Sequence, residues 1–390
     1  MIEKGDVLTF TNEECLGTKE KIYMSYDRFS LDIKVGEQVL VDDGKIILKV
    51  LSTDRKGIVK LEVLFGSTLF SNKGINLPDT KILLPSLTKK DLLDLNFVLQ
   101  YPVNWIALSF VRKAQDIKDI IKIIKKKNHL AKVIAKIEKP EAVQNIDSII
   151  KVANGIMVAR GDLGVELPIE QLPAIQKMII KKCIQRARTV IVATQMMDSM
   201  EHNPLPTRAE VTDVANAVLD GADALMLSGE TAVGKYPRLV VEAMDKIIKE
   251  TEKSYEITSK RPKPSSKART FISDVVCFNA AKTAEEVNAT AIVGMTVSGY
   301  TAFKISSYRP RCYIFIFSDN PQMLATLNLV WGVKCFYYDK FTTTDDTFSD
   351  VTNILKHEKF VDKGHIIVNT ASMPLFKRMR TNMLKVTIIE

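Results

Sequence analysis

The chain has 390 residues and no cysteine pair spaced to hold a metal or to staple a small fold. Cys15, Cys183, Cys277, Cys312 and Cys335 are odd in number, widely scattered and form no CxxC. Reduced thiols and a cytoplasmic location are therefore expected. Cys183 and Cys277 lie within helical apolar patterns and are expected in cores. A run of about 18 apolar residues is also missing, which leaves no candidate for a membrane-spanning helix. The opening Met1–Asp6 has no basic flank leading into an apolar core, so no signal peptide is expected. An acidic excess is missing too: 55 lysines and arginines against 46 aspartates and glutamates give a formal net charge of +9. The basic runs Lys125-Lys126-Lys127 and Lys181-Lys182 fall on or at the ends of amphipathic helices, where a solvated face explains them. Nucleic acid is thus not an expected partner, whereas a positive field suits an anionic substrate. With 46% hydrophobic and 26% charged residues, the composition is globular and allows about two to three domains.

The pattern along the chain divides it. Residues 1–72 read as β-rich, with short apolar runs cut by turn signals, of which Asp42-Asp43-Gly44 is the strongest. A small barrel or sandwich is expected there. From residue 73 to 255 the pattern changes. A helix is expected from Thr88, with Asp91 as capping partner. Nearly all-apolar runs at 105–110, 133–137, 155–159, 189–193 and 224–228 then alternate with helical segments. Their spacing of about 23–34 residues is that of a βα repeat, and their composition is that of parallel strands buried on both faces. A helix over 168–187 places Ile169, Leu172, Ile175, Met178, Ile179 and Cys183 on one face, and another spans 211–219. Residues 256–272 read as a polar linker. Beyond it, a helix at 272–286 and strands at 291–295, 312–317, 333–337 and 365–370 predict a separate α/β sandwich over 273–390.

The chemistry collects where the five repeat strands end: Ser109, Lys136 with Glu138, Gly161 with Asp162, Thr194, and Ser228 with Glu230. In an α/β barrel, catalytic groups lie at the C-terminal ends of strands. Lys136 and Glu138 are two apart and point to the same side of a strand. A lysine and a carboxylate there suit a metal-bound anion; a local salt bridge is the plainer alternative. Gly161 permits close backbone approach to a ligand. Glu138 and Asp162, on adjacent strand ends, form a reasonable Mg²⁺ pair. The alternative for Asp162 is a helix N-cap ahead of Pro168.

These segments carry a family resemblance. The stretch Val133-Ile134-Ala135-Lys136-Ile137-Glu138-Lys139-Pro140 resembles the active-site signature of the pyruvate kinases. Gly155 through Gly164, containing Arg160-Gly161-Asp162, is similar to that family's metal and substrate loop. Ala193-Thr194-Gln195-Met196, Pro206-Thr207-Arg208-Ala209-Glu210, Asp213–Val218 and Leu227–Ala232 match further blocks. Lys73-Gly74-Ile75-Asn76-Leu77-Pro78 resembles the return from the family's mobile lid. The resemblance implies an α/β fold: a partial TIM (β/α)8 barrel (its last five strands), an inserted β-barrel lid domain and a C-terminal α/β sandwich. It implies glycolytic phosphoryl transfer from phosphoenolpyruvate to ADP, giving pyruvate and ATP. Lys136 would stabilise the phosphoryl group in flight. Glu138 and Asp162 would ligate Mg²⁺ (or Mn²⁺). The Gly161 backbone and the Thr194 hydroxyl would bind the substrate carboxylate, with Arg160 in the same loop. Lys73 would contact the nucleotide. K⁺ and a homotetramer are implied by the family alone. Thr296, Ser298 and Thr301 lie in a segment similar to the family's effector loop at a helix start. The glycine-rich effector segment is replaced by Ala371–Arg378, so sugar-phosphate activation is not expected. Arg309, Arg311, Arg378 and Arg380 read as solvated surface, with binding of another anion as the alternative.

Against the family pattern, the first three barrel strands are not seen. They would carry an arginine for the substrate phosphate and the K⁺ ligands. Impaired activity of the chain alone is therefore expected, as are two unpaired parallel sheet edges. The alternatives are a non-catalytic assembly or binding remnant and a Mg²⁺-dependent enolate lyase on a related barrel.

Overall fold

Strands β1 (Val7–Thr11), β2 (Ile22–Tyr23), β3 (Gln38–Val41), β4 (Ile46–Thr53), β5 (Ile58–Phe65) and β6 (Ile75–Asn76) form a six-stranded sheet in the order β2-β1-β5-β4-β3-β6. All neighbours are antiparallel except β1 and β2. Alternation explains the sheet. Val59, Leu61 and Val63 of β5 are buried while Ile58 and Lys60 face out, and the inward side chains join Leu8, Phe10, Val39, Ile46 and Leu48 in one core. The β3–β4 connection turns through Asp42 and Gly44, at φ 54° and 83°. This coordinate set is a computed structural model, and it describes every residue except 19, 43, 67, 72, 81–85, 255–262, 341–342 and 374–378. Asp43, the 72/73 division, much of the 256–272 linker and Arg378 therefore lie at or outside the described residues.

The second unit starts with a helix, Lys89–Val98, opened by the Thr88/Asp91 capping box. Strands β7 (Trp105–Leu108), β8 (Lys132–Ile137), β9 (Gly155–Ala159), β10 (Thr189–Ala193) and β11 (Ala224–Met226) follow. They pair in parallel in the order β11-β10-β9-β8-β7. Every residue of β9 and β10 is buried, because both faces are covered. Val133, Ala135, Ile156, Val158, Val190 and Val192 pack outward against the helices. Ile134, Met157, Ile191 and Ala193 form the opposite face, with Leu329 from the C-terminal unit packed on it. Each such Ile or Val contributes about 1.5–3 kcal/mol on burial.

Two helices differ from expectation. The segment expected as one helix over 168–187 is a 3-10 turn, Ile169–Gln171, then the helix Leu172–Gln185. Pro173 has no N–H to continue a preceding helix and instead sits in the first turn of a new one. Ile169 is consequently 73% exposed rather than on the buried face. The helix Arg208–Asp220 begins earlier than expected, at the Thr207/Glu210 capping box, and ends at Gly221 with φ 96°.

The C-terminal sheet contains β12 (Ala291–Met295), β13 (Tyr313–Ser318), β14 (Val333–Tyr337), β15 (Ile366–Ala371) and β16 (Met383–Ile388), ordered β14-β13-β12-β15-β16. Only β16, an unexpected edge strand, is antiparallel. The helices Phe271–Glu286, Tyr300–Ser306 and Pro321–Leu327 cover one face and Thr344–His357 the other.

This sheet unit docks on the strand-start side of the β7–β11 sheet. The Trp105 indole donates to Thr326 O (3.1 Å) and the Asn104 amide to Gln322 O (3.1 Å). Arg309 is not the solvated residue its charge suggested. It is 4% exposed and donates to Gly221 O (2.7 Å) and Asp223 Oδ1 (3.1 Å), with Trp331 against its guanidinium. No described helix is long and apolar enough to cross a membrane.

Candidate active site

Parallel pairing brings the ends of β7 and β8 side by side, and with them Ser109, Lys136 and Glu138. The Lys136 ammonium lies 2.6 Å from Glu138 Oε1 and donates to Ser109 Oγ at 2.8 Å. Glu138 is 1% exposed, and its second oxygen accepts from Phe110 N at 2.7 Å. A buried carboxylate is costly unless paired and hydrogen-bonded; here both oxygens are engaged. Lys136 is a quarter exposed. It has three donors, two of them used among the described residues. The salt-bridge alternative therefore describes the resting geometry without excluding anion binding.

Arg160, Gly161 and Asp162 leave β9 directly into the helix Arg160–Glu166. Asp162 sits in the first turn of this helix, where the helix dipole favours a carboxylate. It is not an N-cap ahead of Pro168; that alternative is corrected. Arg160 is committed to its own scaffold. Its Nη1 lies 2.8 and 2.7 Å from the two oxygens of Asp213, and its Nη2 donates to Thr194 O at 2.8 Å and Gln195 O at 3.2 Å. Thr194 and Gln195 both have positive φ, 70° and 52°, a backbone that costs energy for non-glycine residues. The guanidinium holds that turn in place. The Thr194 hydroxyl accepts from Gly161 N at 2.7 Å and donates to Ala193 O at 2.6 Å, linking the ends of β9 and β10.

The β11 end is a support. Glu230, also buried, accepts from Met197 N (3.2 Å) and Ser228 N (2.7 Å), so it staples two loops together. Two groups were not marked by the sequence. Glu166 is paired with Lys139 at 2.5 Å and accepts from Asn76 at 3.2 Å, which ties β6 to the helix bearing Asp162. Lys139 lies within the signature stretch but was given no role there, and nothing local flags Glu166.

Other expected groups lie apart. Lys73 is paired with Asp42 at 2.9 Å within the six-stranded unit. Thr296 accepts from Gly299 N (3.0 Å), Ser298 from Tyr300 N (3.5 Å), and Thr301 shares a hydrogen bond with Thr381 (2.6 Å). These three belong to the C-terminal unit, and residues 374–378 beyond them lie outside the described residues.

Among the described residues no group of three or more His, Cys, Asp or Glu is gathered to hold a metal. Glu138 and Asp162 instead offer two hard oxygen donors from neighbouring strand ends. That set fits an ion such as Mg²⁺, which takes one or two carboxylates and completes its shell with substrate oxygens and water.

Two family models match the chain: the pyruvate kinase barrel domain over residues 1–241 and the pyruvate kinase alpha/beta domain over residues 274–387. A pyruvate kinase of Geobacillus stearothermophilus is 42% identical over 393 residues, covering 100% of this chain and 66% of its own length. That of Clostridium acetobutylicum is 39% identical, covering 100% of this chain and 82% of its own. A crystal structure of a pyruvate kinase from Cryptosporidium parvum superposes with a TM-score of 0.89 at 34% identity, over 100% of this chain and 79% of that one. The chain thus spans about two thirds of the Geobacillus relative's length. Because the matches run along all of this chain, they lend no support to the expected impairment. A mixed α/β fold, a lysine–carboxylate cluster on parallel strand ends and these matches agree that the chain belongs to the pyruvate kinase family.

Proposed function

We propose that the chain catalyses phosphoryl transfer between phosphoenolpyruvate and ADP, giving pyruvate and ATP. The observation that carries this reading is the Ser109–Lys136–Glu138 cluster beside the Gly161–Thr194 link. Phosphoryl transfer needs positioning and charge neutralisation more than covalent chemistry. Lys136 holds its ammonium fixed by two anchors and directs its remaining donor at the transferring group. The Thr194 hydroxyl and the Gly161 amide, already bonded to each other, reorient to take the substrate carboxylate. Arg160 acts through Thr194, as a positioning residue. Glu138 and Asp162 hold Mg²⁺ (or Mn²⁺), which when bound supplies Lewis-acid neutralisation of substrate oxygens. Lys73 contacts the nucleotide after leaving Asp42. K⁺ dependence is carried over from the family, as are a homo-oligomeric (tetrameric) state and a cytoplasmic location.

In this reading residues 1–72 are the lid, 73–255 the last five strands of a (β/α)8 barrel, 256–272 a linker, and 273–390 the α/β domain. Thr296, Ser298 and Thr301 mark a candidate effector loop. The test is pyruvate formation from phosphoenolpyruvate by the 390-residue chain, with and without ADP and Mg²⁺. ADP- and Mg²⁺-dependent turnover abolished by Lys136→Met supports the assignment. Proton exchange into enolpyruvate without ADP phosphorylation would instead identify an enolate lyase. Absence of both identifies a binding or assembly remnant.

A further inference from the structure

Glu166 is the last residue of the helix Arg160–Glu166, and its place is unfavourable on two counts. The C-terminal end of a helix favours a cation, not a carboxylate. The residue is also buried, at 8% exposure, and a buried carboxylate is tolerated only when paired and hydrogen-bonded. Local helix stability therefore does not account for it. Its partners do.

Both partners reach one oxygen. Lys139 Nζ lies 2.5 Å from Glu166 Oε1, and Asn76 Nδ2 donates to the same atom at 3.2 Å. They arrive from different elements. Lys139 directly follows Glu138, and its carbonyl accepts from Ala142 N at 3.0 Å as the helix Pro140–Gln144 begins. Asn76 lies on β6, opposite Leu40 of β3. The backbone register between β8 and β9 ends at Ile137 and Val158, short of both Glu138 and Asp162. Sheet pairing thus does not fix the distance between those two carboxylates. The ion pair spans the gap. Lys139 is one residue from Glu138, and Glu166 is one helical turn from Asp162, at the i+4 position on the same helix face.

We propose that Glu166 is a positioning residue: clamped by Lys139, it sets the separation of the Glu138 and Asp162 carboxylates and so the affinity for the divalent ion, while Asn76 ties the six-stranded unit to the same point. The proposal rests on the assignment of that ion to Glu138 and Asp162. Groups that orient metal ligands in this way typically contribute 10–100-fold to affinity.

Free Mn²⁺, followed by electron paramagnetic resonance with the full chain and no substrates, reads that affinity apart from turnover. Glu166→Asp keeps the charge but is one methylene too short to hold Lys139 and Asn76 together. It is expected to weaken Mn²⁺ binding about 10-fold or more, and Lys139→Gln to do the same. In turnover, the Mg²⁺ concentration for half-maximal rate should rise in step, while kcat at saturating Mg²⁺ changes less. A purely structural pair would lower Tm and leave Mn²⁺ affinity untouched at temperatures well below Tm; that result overturns the proposal. Should one variant not fold, the other is read by the same comparison. Glu138→Gln locates the ion. If wild type binds no Mn²⁺, or Glu138→Gln binds it unchanged, the metal assignment fails and the positioning role falls with it. If binding is lost in Glu138→Gln but equal to wild type in Glu166→Asp, the positioning role alone is overturned.

Discussion

Arg160 Nη1 bridges both oxygens of Asp213, a residue 53 positions away, while the same guanidinium holds the left-handed Thr194–Gln195 turn. The pair therefore fixes the position of a proposed substrate-binding hydroxyl. Asp213→Ala is expected to destabilise the chain by about 2 kcal/mol, as for the loss of a charged hydrogen-bond partner. It should also raise the KM for phosphoenolpyruvate more than it lowers kcat. Thermal unfolding and steady-state kinetics check both. Arg160→Lys should not substitute, since an ammonium cannot reach Asp213 and two carbonyls at once.

Lys136→Met should lower kcat about 10²–10³-fold, the usual cost of removing one charge-stabilising donor. It should also lower Tm, because Glu138 is left buried with only the Phe110 amide. The double variant Lys136→Met/Glu138→Gln isolates the stability effect, since Glu138 is itself a proposed Mg²⁺ ligand. Its Tm is expected to recover while its activity does not. Recovery of both would remove Lys136 from the chemistry.

Glu210 links stability to pH. Burial raises its carboxyl, but hydrogen bonds from Ser199 and Thr207 outweigh this and hold it below its ordinary value of 4.5. The folded value is depressed, so the stabilisation is complete above pH 4.5 and is lost as pH falls through the lower folded value. Tm of wild type and Glu210→Gln, followed from neutral to acid pH, should differ most above pH 4.5 and converge below it.

Gly221→Ala should cost about 1–2 kcal/mol. The residue terminates the helix Arg208–Asp220 at φ 96°, and a Cβ there would lie 2.7 Å from Ile184 Cδ1. Denaturant unfolding measures the loss. A neutral result would mean that the Ile184 side chain yields and the turn tolerates a left-handed alanine.

Local physics was legible in the sequence. The Thr88/Asp91 cap needs only residues three apart, and the shared side of Lys136 and Glu138 only the two-residue period of a strand. What failed needed distant partners. Arg309 reads as surface from its charge, yet its carboxylate partner, Asp223, is 86 positions away. The pairing of Lys73 with Asp42, 31 positions away, was likewise unmarked in the sequence. Ile169 fits a helical face by periodicity, and Pro173 ends that register. The helix Arg160–Glu166 was not seen because seven residues with two glycines carry little helical signal. Strand β16 was missed because an edge strand is half exposed and its pattern is diluted.

Strand β7 is a short, stiff strut. Its first residue, Trp105, is fastened through its indole to the carbonyl of Thr326, and about 13 Å further along Ser109, the residue after the strand, meets the Lys136 ammonium. A fully extended backbone has no slack to absorb a push along its axis. Five successive residues, Trp105 to Ser109, thus carry the docking contact of the C-terminal unit at one end and an anchor of the Lys136 ammonium at the other.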